Sequence, residues 1–309
     1  MKRYDIVILG AGPAGLTAAL YTSRAKLSTL IVSGPMIGGQ ISQTYQVDNY
    51  PGFPEGITGP DLTMKFKAQA EKFGAIFMDS EASAVDFGSQ PFTVTLDGEK
   101  VESRVVIVAT GMTHKKLNIP GEDKLMGRGV FTCATCDAVL YEDLKVAVIG
   151  GGDSAFQEAL DLSKYAAEVT IIHQRGSFKA VQYLVDKAKE NPRMRFVMNS
   201  EVLEILGEKR IEGLKLRAIS TGEISTLKVD GVLIAIGWNP NTNIFRGQLE
   251  LDPDNYIISR SVFTEKPGVF TAGDLNDRLY RQVVTSCASG CVAALEAVKY
   301  LAIRSQDHQ

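Results

Sequence analysis

The sequence predicts an α/β protein of two dinucleotide-binding domains, the second inserted into the first. Three observations carry this expectation. A glycine fingerprint, Gly10-x-Gly12-x-x-Gly15, joins an apolar strand-like run to a helix-like stretch. The same order of run, turn and helix recurs roughly 140 residues later, at Gly150-x-Gly152-x-x-Ala155. Two further β-rich runs, residues 105–109 and 232–236, lead into Gly111 and Gly237, where one domain would pass the chain to the other.

Residues 4–9 are short, apolar and rich in β-branched side chains, which suits a buried parallel strand. A helix follows over 13–24, with Pro13 at its first position, and then a strand over 28–32. Residues 92–98 alternate and end on Asp97-Gly98, the pattern of an antiparallel meander. From Lys145 the first pattern repeats as a strand over 146–149, three glycines, a helix from Ser154 to about Lys164, and a strand over 168–172. Crossings are expected near 112–116 and 239–243. The Rossmann-like domains then comprise residues 1–114 with 242–309, and residues 115–241.

Composition narrows the function. The 309 residues are 45% hydrophobic and 22% charged, with a formal net charge of -3. A pI near 5.8 and the absence of a Lys/Arg block leave no basic field for nucleic acid. The N-terminal run carries Gly10, Gly12, Pro13 and Gly15 at fingerprint spacing, so it is not read as a signal peptide. No other stretch is expected to reach the roughly 20 apolar residues that cross a bilayer. The expectation is a cytoplasmic protein without a membrane partner, in which a Cys-x-x-Cys is catalytic or metal-binding rather than structural.

Each fingerprint suits a pyrophosphate. Its glycines permit a tight turn and close backbone approach, so that phosphate oxygens meet the open N–H groups of a helix N-terminus. The residues concerned are Gly10, Gly12, Pro13, Ala14 and Gly15 in the first unit, and Gly150, Gly152, Asp153, Ser154 and Ala155 in the second. The acid that ordinarily receives ribose hydroxyls about 20 residues on is missing from both. Ser33 stands in its place in the first. In the second, His173-Gln174-Arg175 and Lys179 supply cations where a 2′-phosphate would lie, which favours NADPH and leaves NADH open.

Between the fingerprints lies Cys133-Ala134-Thr135-Cys136-Asp137. Two cysteines at this spacing can close a small disulfide, and the thiolate form is the nucleophile. Thr132 is expected to cap a short helix through Leu140 whose dipole would face Cys133. Asp137 suits a general acid for a departing thiolate. Paired with Cys287 and Cys291, the same cysteines could instead ligate structural zinc. Against that, Cys287 and Cys291 fall one helical turn apart in a small-residue run, so no metal is expected. His114, His173 and His308 lack metal-ligand spacing. The residues do not define roles for Cys287, Cys291 or Trp238.

With these motifs, Gly38-Gly39-Gln40, residues 49–54 from Asn49 to Pro54, Ala109-Thr110-Gly111, Ala272-Gly273-Asp274 and Tyr280-Arg281-Gln282, the chain closely resembles bacterial-type low-molecular-weight thioredoxin reductases over its whole length. The resemblance implies FAD in the first domain and NADPH in the inserted one. It implies that Ser33, Gly38, Gly39, Gln40, Asn49, Thr110, Gly111 and Gly273 line the flavin nucleotide. It further implies that Asp274 holds its ribityl chain, with Arg281, Gln282 and Val283 alongside, and that Ile236 and Gly237 take part in cofactor binding, Gly111 and Gly237 lying where the inserted domain would hinge. Cys136 would face the flavin and Cys133 would attack the disulfide of thioredoxin or a thioredoxin-like protein. A homodimer is implied as well. Gln174 and Lys179 depart from the arginines usual in this family, so an NADH- or ferredoxin-fed flavoprotein, or one serving another small redox protein, is the alternative.

Overall fold

The structure, a computed structural model, describes residues 1–44 and 46–306; His308 lies outside them. The chain divides into two compact units, Met1–Thr113 with Asn239–Gln309, and His114–Trp238.

In the first unit the chain runs β1 (Lys2–Leu9), α1 (Pro13–Arg24), β2 (Thr29–Val32), α2 (Gly59–Lys72), β3 (Ile76–Met78), β4 (Ala82–Asp86), β5 (Phe92–Leu96) and β6 (Glu99–Val108). The sheet order β3-β2-β1-β6-β5-β4 is parallel through β3, β2, β1 and β6 and antiparallel beyond, where the expected meander lies. Period-two packing explains the register. Ile6, Ile8, Val105 and Ile107 enter the core on one face, and Val7, Leu9, Val106 and Val108 enter the core on the other. Truncating one of these fully buried side chains, such as Ile107→Ala, costs about 2–5 kcal/mol.

The first crossing contains β7 (Met112–His114), which opens onto α3 (Glu122–Leu125), β8 (Val130–Phe131), α4 (Ala134–Asp137), β9 (Lys145–Ile149), α5 (Asp153–Leu162), β10 (Glu168–Ile172), α6 (Gln182–Glu190) and β11 (Met194–Val197). An antiparallel excursion follows, β12 (Ser200–Leu206), β13 (Gly213–Ala218) and β14 (Ile224–Leu227), before β15 (Gly231–Ile234). The second unit's main sheet, β11-β10-β9-β15-β8, is wholly parallel. Val146, Val148 and Leu233 pack with the α5 residues Phe156 and Ala159, while Ala147, Ile149 and Val232 face the other core.

The return crossing is β16 (Trp238–Pro240), which pairs with β7 as a two-stranded ribbon. The chain then reaches β17 (Val269–Thr271), which lies parallel to the second half of β6, and α7 (Val283–Gln306). Within α7, Val283–Arg304 is long and apolar enough to cross a membrane by length and composition alone, a test that the core helix of a globular domain also passes. Its small residues have a packing reason in the first unit. A Cβ on Gly290 would stand 2.1 Å from the Ala14 carbonyl oxygen, so glycine lets α7 press against the backbone of α1.

Candidate active site: a dithiol and two dinucleotide cradles

In the first unit, β1 ends at Leu9 and the turn Gly10–Gly12 delivers the chain to α1. Gly10 has φ +106°, and a Cβ there would lie 2.3 Å from the Ala109 carbonyl; at Gly15 it would lie 1.8 Å from the Gly10 carbonyl. At Gly12, by contrast, the nearest atom is the Gly38 carbonyl oxygen at 3.9 Å. The backbone is therefore closed behind the turn and open above it. α1 has no side-chain cap and no acid in its first turn, so its N–H groups and positive dipole end stay available to an anion.

Around this opening the structure gathers residues far apart in sequence. Gly38 N–H donates to the Ala11 carbonyl (2.8 Å), and Gln40 Nε2 to the Met112 carbonyl (3.1 Å). Asn49 Nδ2 donates to Gln282 Oε1 across 3.2 Å. Gly273 N–H is held by Ser289 Oγ (2.8 Å), and Ser286 Oγ donates to Asp274 Oδ1 (3.0 Å). Burial raises the Asp274 carboxyl above its ordinary value, against the lowering pull of Ser286. Arg281 Nη2 donates to the Tyr256 hydroxyl (3.0 Å). Val283 begins α7. Thr110 and Gly111 are bolted by a side chain that the sequence reading did not single out. Asn241 donates from Nδ2 to the Thr110 carbonyl (2.9 Å), and from its backbone N–H to the Gly111 carbonyl (3.0 Å).

The second unit repeats the cradle. A Cβ at Gly150 would meet the Ala235 carbonyl at 2.5 Å, and at Gly151 the His173 ring at 2.4 Å, whereas nothing lies within 4 Å of one at Gly152. Asp153 Oδ1 accepts the Val181 N–H (2.7 Å), and Gly151 carbonyl accepts the Lys179 N–H (2.8 Å). These bonds hold the loop of residues 173–181 against the fingerprint. Within it His173 lies against Phe178, while Gln174, Arg175 and Lys179 are exposed. Ile236 and Gly237 follow β15. Both cradles fit a dinucleotide: closed backbone below, open N–H groups above.

The dithiol stands on α4. Cys133 and Cys136 are joined in a disulfide with Cα atoms 5.4 Å apart. The expected cap at Thr132 gives way to Cys133 itself, whose Sγ accepts the Cys136 N–H (3.2 Å). The continuous helix through Leu140 is instead α4 followed by a 3-10 turn, Ala138–Tyr141. The first donor of α4 is taken by another unforeseen residue: Glu158 Oε2, on α5, accepts the Ala134 N–H at 3.0 Å. The helix that opens with the second fingerprint thus also holds the dithiol turn. Burial pushes Asp137 up to about 7, which keeps its proton available near neutrality, and raises Tyr141 as well.

Cys287 and Cys291 are half-buried free thiols on α7. Burial raises the Cys287 thiol and, with Cys287 beside it, pushes Tyr50 up to about 12. Among the described residues, no group of three or more His, Cys, Asp or Glu could hold a metal ion. His114 is buried with both ring nitrogens lacking a hydrogen-bond partner, and its ring meets Trp238 edge-on at 6.1 Å.

Residues 4–290 match the family described as Pyridine nucleotide-disulphide oxidoreductase. The chain is 46% identical over 307 residues to a Thioredoxin reductase of Streptomyces coelicolor, covering 98% of this chain and 95% of that one. It is 43% identical over 302 residues to a Bifunctional thioredoxin reductase/thioredoxin of Mycobacterium leprae, covering 97% of this chain and 66% of that one. Among solved structures, thioredoxin reductase from Streptococcus pyogenes superposes with a TM-score of 0.92 at 34% identity, over 97% of this chain and 98% of that one. With its two cradles and its disulfide, the chain belongs to the pyridine nucleotide-disulphide oxidoreductases and, among them, to the thioredoxin reductase family.

Proposed function

We propose that this chain reduces the disulfide of thioredoxin with electrons from NADPH, by way of FAD and the Cys133–Cys136 pair. The observation that carries the reading is the disulfide with a carboxyl of pKa about 7 directly after it, on a turn anchored to the second nucleotide helix. The M. leprae relative, named for a reductase and a thioredoxin in one protein, supports thioredoxin as the partner.

FAD and NADPH are this protein's cofactors, and when bound they supply the two-electron transfer that returns the disulfide to the dithiol. The first unit takes FAD over the Gly10–Gly15 turn, with Ser33, Gly38, Gly39, Gln40 and Asn49 on one side and Asp274, Arg281, Gln282 and Val283 on the other. The second unit takes NADPH over Gly150–Ala155, with His173, Arg175 and Lys179 at its 2′-phosphate. In the dithiol state, the Cys133 thiolate attacks one sulfur of the thioredoxin disulfide and the other sulfur leaves. Asp137 protonates a departing thiolate. Cys136 then attacks Cys133 Sγ, which releases the second thioredoxin thiol and closes the disulfide. Val139 and Leu140, exposed immediately beyond Asp137, give an apolar landing surface beside the reacting sulfurs.

Oxidation of NADPH that accelerates when oxidised thioredoxin is added tests this function directly. A rate indifferent to thioredoxin would refute it. Arg175 offers the single fork available to a phosphate, so Arg175→Ala should raise the NADPH KM about tenfold, the value of one charge-assisted contact, and leave the NADH KM unchanged. An equal rise for both nucleotides would remove Arg175 from the 2′-phosphate.

A homodimer in the cytoplasm completes the proposal. α7 exposes Val284, Val292 and Leu295 along one face. Beside it runs an open groove of about 420 Å³ lined by Leu20, Tyr21, Phe66 and Cys287. Both features suit burial against a second copy of the first unit. Sedimentation should give twice the mass of one chain, and a monomer at assay concentration would exclude this surface as a self-contact.

A further inference from the structure

The first cradle lacks the acid that ordinarily receives ribose hydroxyls at the end of its second strand. β2 ends at Val32 and the position beyond it is Ser33, buried at 4% exposure. The sheet brings an acid to the same rim by another route. β3 runs parallel beside β2 with Val32 opposite Met78, so the chain leaving β3 emerges next to the chain leaving β2. Ser33 N–H donates to the Met78 carbonyl and Gly34 N–H to the Ser80 carbonyl, both at 3.0 Å. The Ser33 hydroxyl, 3.0 Å from its neighbour's carbonyl, also lies 3.1 Å from Asp79 Oδ1.

Two further observations mark this rim as a ligand edge. The Ser80 hydroxyl, 8% exposed as a residue, is buried without a hydrogen-bond partner in the structure. Gly38, at the far end of the loop that starts at Ser33, is tied to Ala11 in the fingerprint, so this rim and the α1 N-terminus belong to one opening. The carboxyl ends of parallel strands are where open α/β sheets bind nucleotides.

We propose that Asp79, presented by β3 and oriented by Ser33, receives the 2′- and 3′-hydroxyls of the adenosine ribose of FAD. This rests on the assignment of FAD to the first unit. An ionised carboxylate accepts from both hydroxyls of a cis-diol and donates to neither, which matches a ribose. The same charge repels a 2′-phosphate, so the site also excludes NADPH from the flavin cradle. Asp79 thus replaces, from the neighbouring strand, the acid that Ser33 lacks.

The test measures FAD retention by the holoenzyme from the fluorescence of released flavin, with apoprotein Tm recorded alongside. Asp79→Ala should raise the FAD Kd about 10- to 100-fold with apoprotein Tm unchanged, on the scale of a hydrogen bond to a charged group. Ser33→Glu added to Asp79→Ala should recover most of that loss. FAD carrying 2′-deoxyadenosine should bind the parent more weakly than FAD does and bind Asp79→Ala equally well. A parent that holds FAD tightly, with an Asp79→Ala variant that holds it as tightly or still discriminates against the deoxy form, overturns the Asp79 assignment alone. A parent that binds no FAD overturns it together with the cradle reading.

Discussion

Cys136→Ser should abolish thioredoxin turnover, by more than about 10³-fold, while leaving the fold and both nucleotide sites intact. Cys133 keeps its nucleophile in this variant and still attacks the thioredoxin disulfide. With no second thiol to resolve it, the mixed disulfide persists, so the variant should capture thioredoxin covalently in one-to-one ratio. Cys133→Ser should be equally inactive and capture none, because the interchange sulfur is gone. Equal capture by both variants would mean that the two sulfurs share the outer role. Structural collapse does not account for either loss. Opening so short a loop forfeits about 2 kcal/mol of chain entropy, and the core of the second unit, built on Val146, Val148 and Phe156, does not depend on the bond.

Asp137→Asn should lower thioredoxin turnover about 10²- to 10⁴-fold, the range of a general acid. Its pH dependence makes the effect specific. Burial lifts the Asp137 carboxyl from an ordinary 3.8 to about 7, so the proton is in place at pH 6 and is lost as pH rises through about 7. The parent rate should fall above that point, and the asparagine variant should lack that limb. Stability in the parent should also fall with rising pH, over a lower range. The folded state binds the proton more tightly than the unfolded state, so the parent loses stability as pH rises from about 4 to about 7. The asparagine variant escapes that loss and should show the higher Tm at pH 8. A variant that loses activity and stability together, with the parent's pH limb retained, would make Asp137 a structural residue.

Much of this architecture was legible because its causes are local. β-branched runs, glycine turns and Pro13 at the first position of α1 each depend on a few neighbours, and they place both fingerprints between strand and helix. The capping of α4 was misread for a physical reason: a sulfur at Cys133 can accept the Cys136 N–H itself, and no propensity distinguishes that from a hydroxyl at Thr132. Asp79 and Ser33 meet across 46 positions only because β2 and β3 pair in one register. Glu158 meets Ala134 across 24, because α4 packs on α5. Asn241 reaches Thr110 across 131, as the chain re-enters the first unit. Such contacts are written in topology and leave no motif. α7 shows the converse, where composition alone passes for a membrane span, while the close approach of Gly290 to Ala14 and the burial of Ala293, Ala294 and Ala297 in the first unit's core give its small residues a packing reason.

The proposed function requires one chain to hold two separate two-electron stores, a flavin and the Cys133–Cys136 disulfide, that fill from the same nicotinamide. Anaerobic titration of the FAD-loaded protein with NADPH, followed by the visible flavin spectrum and by thiol counting, tests it most directly. The parent should take up two equivalents and expose two new thiols, and Cys136→Ser should take up one and expose none. A parent that accepts a single equivalent, with its disulfide still closed, would contradict the account.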